Sequence, residues 1–379
     1  MKLPVLTSGK SSMPRPYRIL HIDTDRTWRG GQQQVASLLN QLHNLGHINF
    51  IASPPGSELL CRLPPGVAHA CPVSMRNEWD LVSAFRLARV IRREHPDLLH
   101  AHSGRAHTLG ILARAFSGMR MPLVVARRVD FAIRKDWIGR WKYANADYYI
   151  CDSSAIAEVL KVGGVPENKM CVIYECVFEE RYENADRQPL IEEFQIEPGS
   201  VVIGNVAVCE DRKNQRLIVQ AALEVLKRFP KTHFFIVGDG PLRDELIQLS
   251  RSLDVAHRVH FPGNRIDIGD FLALFDIFVM ASKMEGLGSS ILDAQYFSLP
   301  VIATPVGGMK EIVRDGENGI TVPVDDPASL AKAIMSLITS EEKRKHFGEK
   351  GKEQILKYHT PGIMTEQTIR VYEKLLDGR

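Results

Sequence analysis

Residues 276–304 read DIFVMASKMEGLGSSILDAQYFSLPVIAT. Asp276–Ala281 is an apolar run of strand length, followed by a glycine-rich turn, a short helical stretch and a second apolar run at Val301–Thr304. Two strand-length runs joined through a helix form a parallel βαβ unit, since antiparallel partners need only a tight turn between them. The alternation continues in both directions. Strand candidates lie upstream at Val201–Val206, His233–Val237 and Arg258–Phe261, and downstream at Gly319–Val322, with helices between. Pro241 and Pro327 are predicted at the first positions of two of those helices, where the amide they lack has no intrahelical acceptor. Two further helical stretches, about 341–357 and 362–376, close the chain.

The N-terminal part repeats the pattern. Arg18–Asp23 is a buried-strand run, and Val35, Leu38, Leu39, Leu42 and Leu45 follow at helical spacing with Gly46 as C-cap. Strands are predicted at Ile48–Ala52, Asp97–Ala101 and Leu123–Arg127, with a helix near Leu81–Arg93. A polar, proline-bearing stretch, Glu179–Pro198, separates the two series. The expectation is an α/β chain of two doubly wound domains facing across a cleft. Their bounds are 17–180 and 198–357, with 358–379 a final helix able to cross back to the first domain. Open sheets of this kind bind ligands beyond the carboxyl ends of their strands, so the cleft is the expected site.

Of 379 residues, 44% are hydrophobic and 25% charged, which excludes disordered, collagen-like and membrane-spanning chains. The net charge of +3 conceals a split. Residues 1–142 carry 21 Lys+Arg against 9 Asp+Glu, a net of +12, and the remainder is −9. So basic a front segment expects an anionic partner. The first 17 residues have no apolar stretch suited to a signal peptide and read as a loose leader. Six scattered cysteines without a CxxC pair read as reduced thiols, neither a disulfide frame nor a zinc site. A cytoplasmic location is expected, with attachment to the inner face of the membrane as an option.

In the opening stretch, Glu285 and Asp293 bracket a glycine-rich turn at a helix start. Backbone amides of Gly286, Leu287, Gly288, Ser289 and Ser290 can bind an anionic phosphate there, and Asp293 can reach a hydroxyl pair such as a ribose. Taken alone, the same residues also read as a helix capped by Ser289 or Ser290, with Glu285 favouring its dipole.

The full pattern resembles the donor-site signature of the family 4 retaining nucleotide-sugar glycosyltransferases: Glu-Gly-x-Gly, a second acid eight residues after the first, then Gly-x-Pro-Val-Ile-Ala-Thr. Asp293 stands where Glu is usual, and Ser298 replaces the later Gly. Gly30-Gly31 matches the family's N-terminal glycine loop, where the backbone approaches the donor phosphates; by itself the pair is an ordinary tight turn. Asp97-Leu-Leu-His100-Ala-His102 matches a strand end whose second histidine, His102, would lie beside the transferred sugar. Gly238-Asp-Gly240-Pro241 matches a turn, and Phe261-Pro-Gly263-Asn-Arg265 a strand end whose backbone holds the nucleobase. Lys213 matches the lysine that neutralises the leaving diphosphate. The usual arginine is replaced by Val208, and Arg212 is the nearby candidate to substitute. Glu175-Cys176 departs from the usual turn before the linker.

The resemblance, over roughly residues 17–376, implies the GT-B fold, two Rossmann-like domains. It also implies transfer of a sugar from a nucleoside diphosphate to an acceptor hydroxyl with retention, in lipopolysaccharide, polysaccharide or glycolipid assembly. Implied catalytic residues are His102, Lys213 and Glu285. Implied donor contacts are Gly30, Gly31, Arg212, Arg265, Gly286, Leu287, Gly288, Ser289 and Asp293. No cofactor or metal is expected: Asp23-Thr-Asp25 mimics a metal-binding DxD but lies in the wrong domain, and His100/His102 lack a third ligand of convincing spacing. The acceptor domain holds the basic surplus. Arg86, Arg89, Arg92 and Arg93 share one helix face, followed by Arg105, Arg114, Arg127, Arg128, Arg134, Lys135, Arg140 and Lys142. These read as a solvated face or as contacts to an anionic lipid-linked or glycan acceptor. Nucleic acid is not expected, as no reader motif accompanies the charge. Two other readings stay open: a sugar-nucleotide epimerase of the same fold, and a non-catalytic relative that binds nucleotide or partner proteins.

Overall fold

The computed structural model describes residues 15–129, 131–134 and 136–377; the start of the leader and Lys135 lie outside them. The chain divides into two compact units, one running to Glu175 and including the segment from Pro361, the other Cys176–Thr360.

The first unit holds seven strands: β1 (Arg18–Ile22), β2 (Ile48–Ser53), β3 (His69–Pro72), β4 (Leu98–Ala101), β5 (Leu123–Arg127), β6 (Tyr148–Cys151) and β7 (Met170–Val172). All pair in parallel, in the order β3-β2-β1-β4-β5-β6-β7. The second unit holds β8 (Val202–Val206), β9 (His233–Val237), β10 (Val259–Gly263), β11 (Ile277–Met280), β12 (Val301–Ala303) and β13 (Gly319–Thr321). These are also parallel, in the order β10-β9-β8-β11-β12-β13. Strand order reverses between β1 and β4 in one sheet and between β8 and β11 in the other. Each reversal opens a crevice at the carboxyl ends, the ordinary ligand position of such sheets.

Burial explains which strands were legible. Central strands such as β9 and β11 are covered on both faces and read as unbroken apolar runs. The edge strand β3 is four residues, mostly exposed and ends in proline; β7 has three half-buried residues. Neither, nor the four-residue β6, was predicted. Pro327 opens its helix as expected, behind an Asp326 cap. Pro241 does not: it lies in the turn, and the helix starts at Arg243. Gly46 takes the left-handed conformation just past the helix Gly30–Asn44, after the C-cap Leu45.

Candidate active site

At the switch point of the second sheet, β8 and β11 are tied together by Asn205, whose Nδ2 donates to the Val279 carbonyl at 2.8 Å. Beyond β8 the chain turns through a single 3₁₀ turn, Asp211–Lys213, that carries Lys213 back over the sheet end. Beyond β11 it enters the Ser282–Gly288 loop. The two loops meet where the Lys283 amide donates to the Arg212 carbonyl at 2.8 Å, and the Lys213 ammonium is ion-paired with the Glu285 carboxylate. Both side chains are close to buried, 12% and 11% exposed, and Ser282 Oγ donates to the same carboxylate oxygen at 3.3 Å. Two residues 72 positions apart thus form one compensated charge pair at the position where such sheets hold phosphate.

The helix Ser289–Tyr296 begins directly after this pair. Its N-cap is Gly288, at φ +91°, without a side-chain cap, so neither Ser289 nor Ser290 plays the capping role open to them from sequence. The amides of a helix's first turn have no intrahelical acceptors and carry its positive end. Leu287 is buried beneath the turn, and Asp293, half-buried, lies one turn into the helix.

Gly307, which carried no sequence signal, holds the loop in place. At φ +53°, a Cβ here would overlap the Glu285 carbonyl oxygen, and the next amide, Gly308, donates to the Gly286 carbonyl at 2.8 Å. Gly307→Ala is expected to shift the Glu285 loop, lowering stability by at least ~1 kcal/mol from the unfavourable φ alone. The unfolding midpoint in denaturant checks the stability, and transfer should fall further than that loss explains. Gly238 has a parallel role: a Cβ there would overlap the Ala207 carbonyl, which packs the turn before Pro241 against the loop leading to Lys213.

The other predicted donor residues are placed differently. Arg212 points to its own loop neighbour, Nε to Glu210 at 2.6 Å. Arg265 is committed to two carboxylates: its terminal nitrogens reach Glu193 at 2.8 and 3.0 Å, and Asp267 takes Nε and Nη2 at 2.9 and 2.7 Å. These partners hold its pKa above the usual arginine range. Gly30 and Gly31 form the first turn of a helix rather than a loop, and nothing in the protein lies within 4 Å of a Cβ built on Gly31. The chain's own packing therefore does not require glycine there.

The first sheet's switch point carries a histidine cluster. His102 follows β4, His100 lies within it and His21 within β1, and their ring nitrogens fall within 4.8 Å of one another. His21 supplies the third ring that spacing alone did not reveal. His21 Nδ1 and His102 Nε2 share a hydrogen bond at 2.9 Å, and His100 Nδ1 meets the Tyr372 hydroxyl at 2.7 Å. Burial pushes all three pKa values down, His21 to about 3, so the rings are neutral. Three imidazoles are a zinc-type ligand set. Here one nitrogen each of His21 and His102 is used on the other ring, while His21 Nε2, His102 Nδ1 and His100 Nε2 are buried without a hydrogen-bond partner among the described residues. The Arg128 guanidinium, 3.3 Å from the His102 carbonyl, disfavours a second cation. Beside them, burial and Asp25 raise the Asp23 carboxyl to about 6, and Gln32 bridges the two acids at 3.3 Å.

The arginines predicted to face an acceptor divide into two groups. Arg128 is held inside, with Nε 3.3 Å from Glu175; Arg127 donates to the Phe131 carbonyl and lies over Tyr143. Arg92 donates to the carbonyls of Phe116 and Ser117, and Arg93 pairs with Glu94. Arg86 and Arg89 point outward, with no ion-pair partner among the described residues.

Comparison with known proteins agrees with this geometry. The model "Glycosyltransferase Family 4" matches residues 28–181, and "Glycosyl transferases group 1" matches 186–354, so together they span most of both units. The N-acetyl-alpha-D-glucosaminyl L-malate synthase of Bacillus anthracis is 25% identical over 92% of this chain and 96% of its own. The lipopolysaccharide core biosynthesis glycosyltransferase LpsE of Rhizobium meliloti (strain 1021) is 28% identical over 76% of this chain and 78% of its own. Both carry enzymatic names, and neither is an epimerase. The crystal structure of Anabaena Alr3699/HepE in complex with UDP and glucose shares the fold, with a TM-score of 0.82 and 20% identity over 95% of this chain and 100% of that one. The chain belongs to the family 4 glycosyltransferases and has the GT-B fold.

Proposed function

We propose that the protein moves a sugar from a nucleoside-diphosphate sugar to an acceptor hydroxyl, with retention at the anomeric carbon, in assembly of a lipopolysaccharide, polysaccharide or lipid-linked envelope glycan. The observation that carries the donor assignment is the Lys213–Glu285 pair set before the Ser289–Tyr296 helix start at the β8/β11 switch point. A diphosphate arriving there meets the Lys213 ammonium and the first-turn amides, which stabilise the charge that grows as the anomeric C–O bond breaks. Glu285, released from its lysine, accepts hydrogen bonds from donor-sugar hydroxyls. The acceptor oxygen attacks on the face the phosphate leaves, and a departing phosphate oxygen takes its proton. The protein therefore needs no carboxylate nucleophile, cofactor or metal. The neutral His102 imidazole acts on the sugar's hydroxyls, and Asp293 on the ribose. Open space before Gly31 suits close approach of phosphate to backbone. The basic surplus of residues 1–142 supports an anionic acceptor and peripheral contact with the inner membrane face.

A thermal-shift panel of nucleoside diphosphates and their sugar conjugates tests the reading. A ligand at ~100 times its Kd stabilises by about 2.7 kcal/mol. In a unit of this size that is a rise of roughly 5–10 °C in Tm. One base is expected to give this shift; a panel with no shift from any member overturns the donor site.

A further inference from the structure

The exposed face of the helix Leu81–Glu94 is not uniformly basic. Ser83, Ala84, Leu87, Ala88, Val90 and Ile91 are buried. The opposite face starts apolar, with Leu81 52%, Val82 62% and Phe85 54% exposed, and becomes cationic at Arg86 and Arg89. Trp79, 47% exposed, precedes the helix and stacks on Trp141 with ring centroids 5.9 Å apart. Trp141 lies one turn after Trp137, which is 77% exposed. The two segments are also clamped by the Glu78–Lys142 ion pair, with Thr108 donating to the same Glu78 oxygen at 2.7 Å. The result is a ridge of exposed indole, phenyl and aliphatic side chains on two clamped segments, with arginine beside it and Phe85 stacked on Phe116 at 4.2 Å between ring centroids.

The charge around the ridge indicates its partner. Its three acids are occupied locally: Glu78 by Lys142, Asp80 by the Ser83 amide and hydroxyl at 3.0 and 2.7 Å, and Asp136 by the Gly139 amide and Arg134 at 2.8 and 2.7 Å. Arg86 and Arg89 have no such partner among the described residues. Clustered exposed apolar side chains rimmed by polar ones mark interaction surfaces. Tryptophan and phenylalanine flanked by arginine match the headgroup boundary of a bilayer, where the rings enter and the guanidinium groups meet phosphate. A two-fold contact between copies would instead bring the same arginines together. No helix among the described residues is long and apolar enough to cross a membrane, so the contact is one of lying on the surface.

We infer that the ridge of Trp79, Leu81, Val82, Phe85 and Trp137, with the half-buried Trp141 supporting Trp79 from behind, docks on an anionic lipid bilayer, with Arg86 and Arg89 contacting its headgroups. This rests on the membrane-facing reading above and names the surface that performs it. Co-sedimentation of the full chain with phosphatidylcholine vesicles containing about one-third phosphatidylglycerol tests it, without any sugar nucleotide. Binding is expected to weaken roughly tenfold or more in Phe85→Ser/Trp137→Ser, which remove the apolar anchors. Arg86→Glu/Arg89→Glu should reduce it to the level seen with phosphatidylcholine alone. Trp137→Ser alone, at the most exposed of these sites, should weaken binding measurably while keeping the wild-type melting point. Wild-type protein that ignores the anionic vesicles, or serine variants that bind as well as wild type, overturn the inference. So does a wild-type dimer in ultracentrifugation that the serine variants abolish. Vesicle binding without any nucleotide shift leaves this inference standing and removes the proposed donor site; the converse removes only the ridge.

Discussion

Lys213→Ala is expected to reduce sugar transfer by about 10²- to 10³-fold, the scale of losing one preorganised group that stabilises departing charge. The loss should fall on kcat more than on the KM for the donor, because the ammonium gains most as the diphosphate leaves. The structure adds a complication. Lys213 and Glu285 neutralise each other in the free protein at about one-tenth exposure, so removing either leaves the other charge poorly solvated. Each single variant should therefore lose about 3 kcal/mol of stability, the scale for breaking a buried pair. The double variant Lys213→Met/Glu285→Gln removes both charges and should recover most of that stability while remaining inactive. Ser282 keeps a hydrogen-bond partner at 285 in this variant. Recovery of both stability and activity would reduce the pair to a structural feature. Full activity in both Lys213→Ala and Glu285→Ala would sink the donor-site assignment.

The fold was legible because parallel strands covered on both faces must be continuously apolar, as Phe234–Val237 and Ile277–Met280 are. β3 and β7 are sheet edges with little to bury, and their sequences carry correspondingly little signal. The candidate site divides in the same way. Glu285, Gly286 and the helix start are contiguous, so their grouping could be read directly. The meeting of Lys213 with Glu285 came from resemblance, since no local pattern states which loops touch. Gly307 was invisible because its requirement is a carbonyl 22 residues away. His21 escaped notice because a neighbouring strand, not spacing, brings it to His102. Arginine spacing gave a basic helix face, but it could not show that Arg92 closes neighbouring carbonyls or that Leu81, Val82 and Phe85 stay uncovered. In each case the missing information is a tertiary contact.

Acidification should unfold the first unit well before ordinary carboxylate titration would. His21, His100, His102 and His107 are all buried there with pKa values pushed down by desolvation, helped at His107 by Lys142, Arg127 and Arg114 and at His100 and His102 by Arg128. In the unfolded chain each titrates near 6.5. Below that pH the unfolded state takes up protons that the native state refuses. Stability is thus fully present above pH ~6.5 and falls as pH drops toward the native values, by about 1.4 kcal/mol per pH unit for each independent ring. Asp23 acts in the opposite direction, because its raised native value, about 6, means the folded form binds the proton first. One carboxyl against five imidazoles, the fifth being His47, also lowered by burial, and three of them in mutual contact, leaves a net loss of roughly 2–4 kcal/mol per pH unit between pH 6 and 5. All four tryptophans, Trp28, Trp79, Trp137 and Trp141, lie in this unit, so indole fluorescence follows its unfolding separately from the other. The denaturant midpoint read this way should fall steeply from pH 7 to 5. His107→Gln should flatten the slope by about one proton, since residue 107 lies outside the proposed catalytic groups and its Nε2 has no hydrogen-bond partner among the described residues. A midpoint that stays level over that range would mean that these rings are protonated, or hydrated, in the native protein.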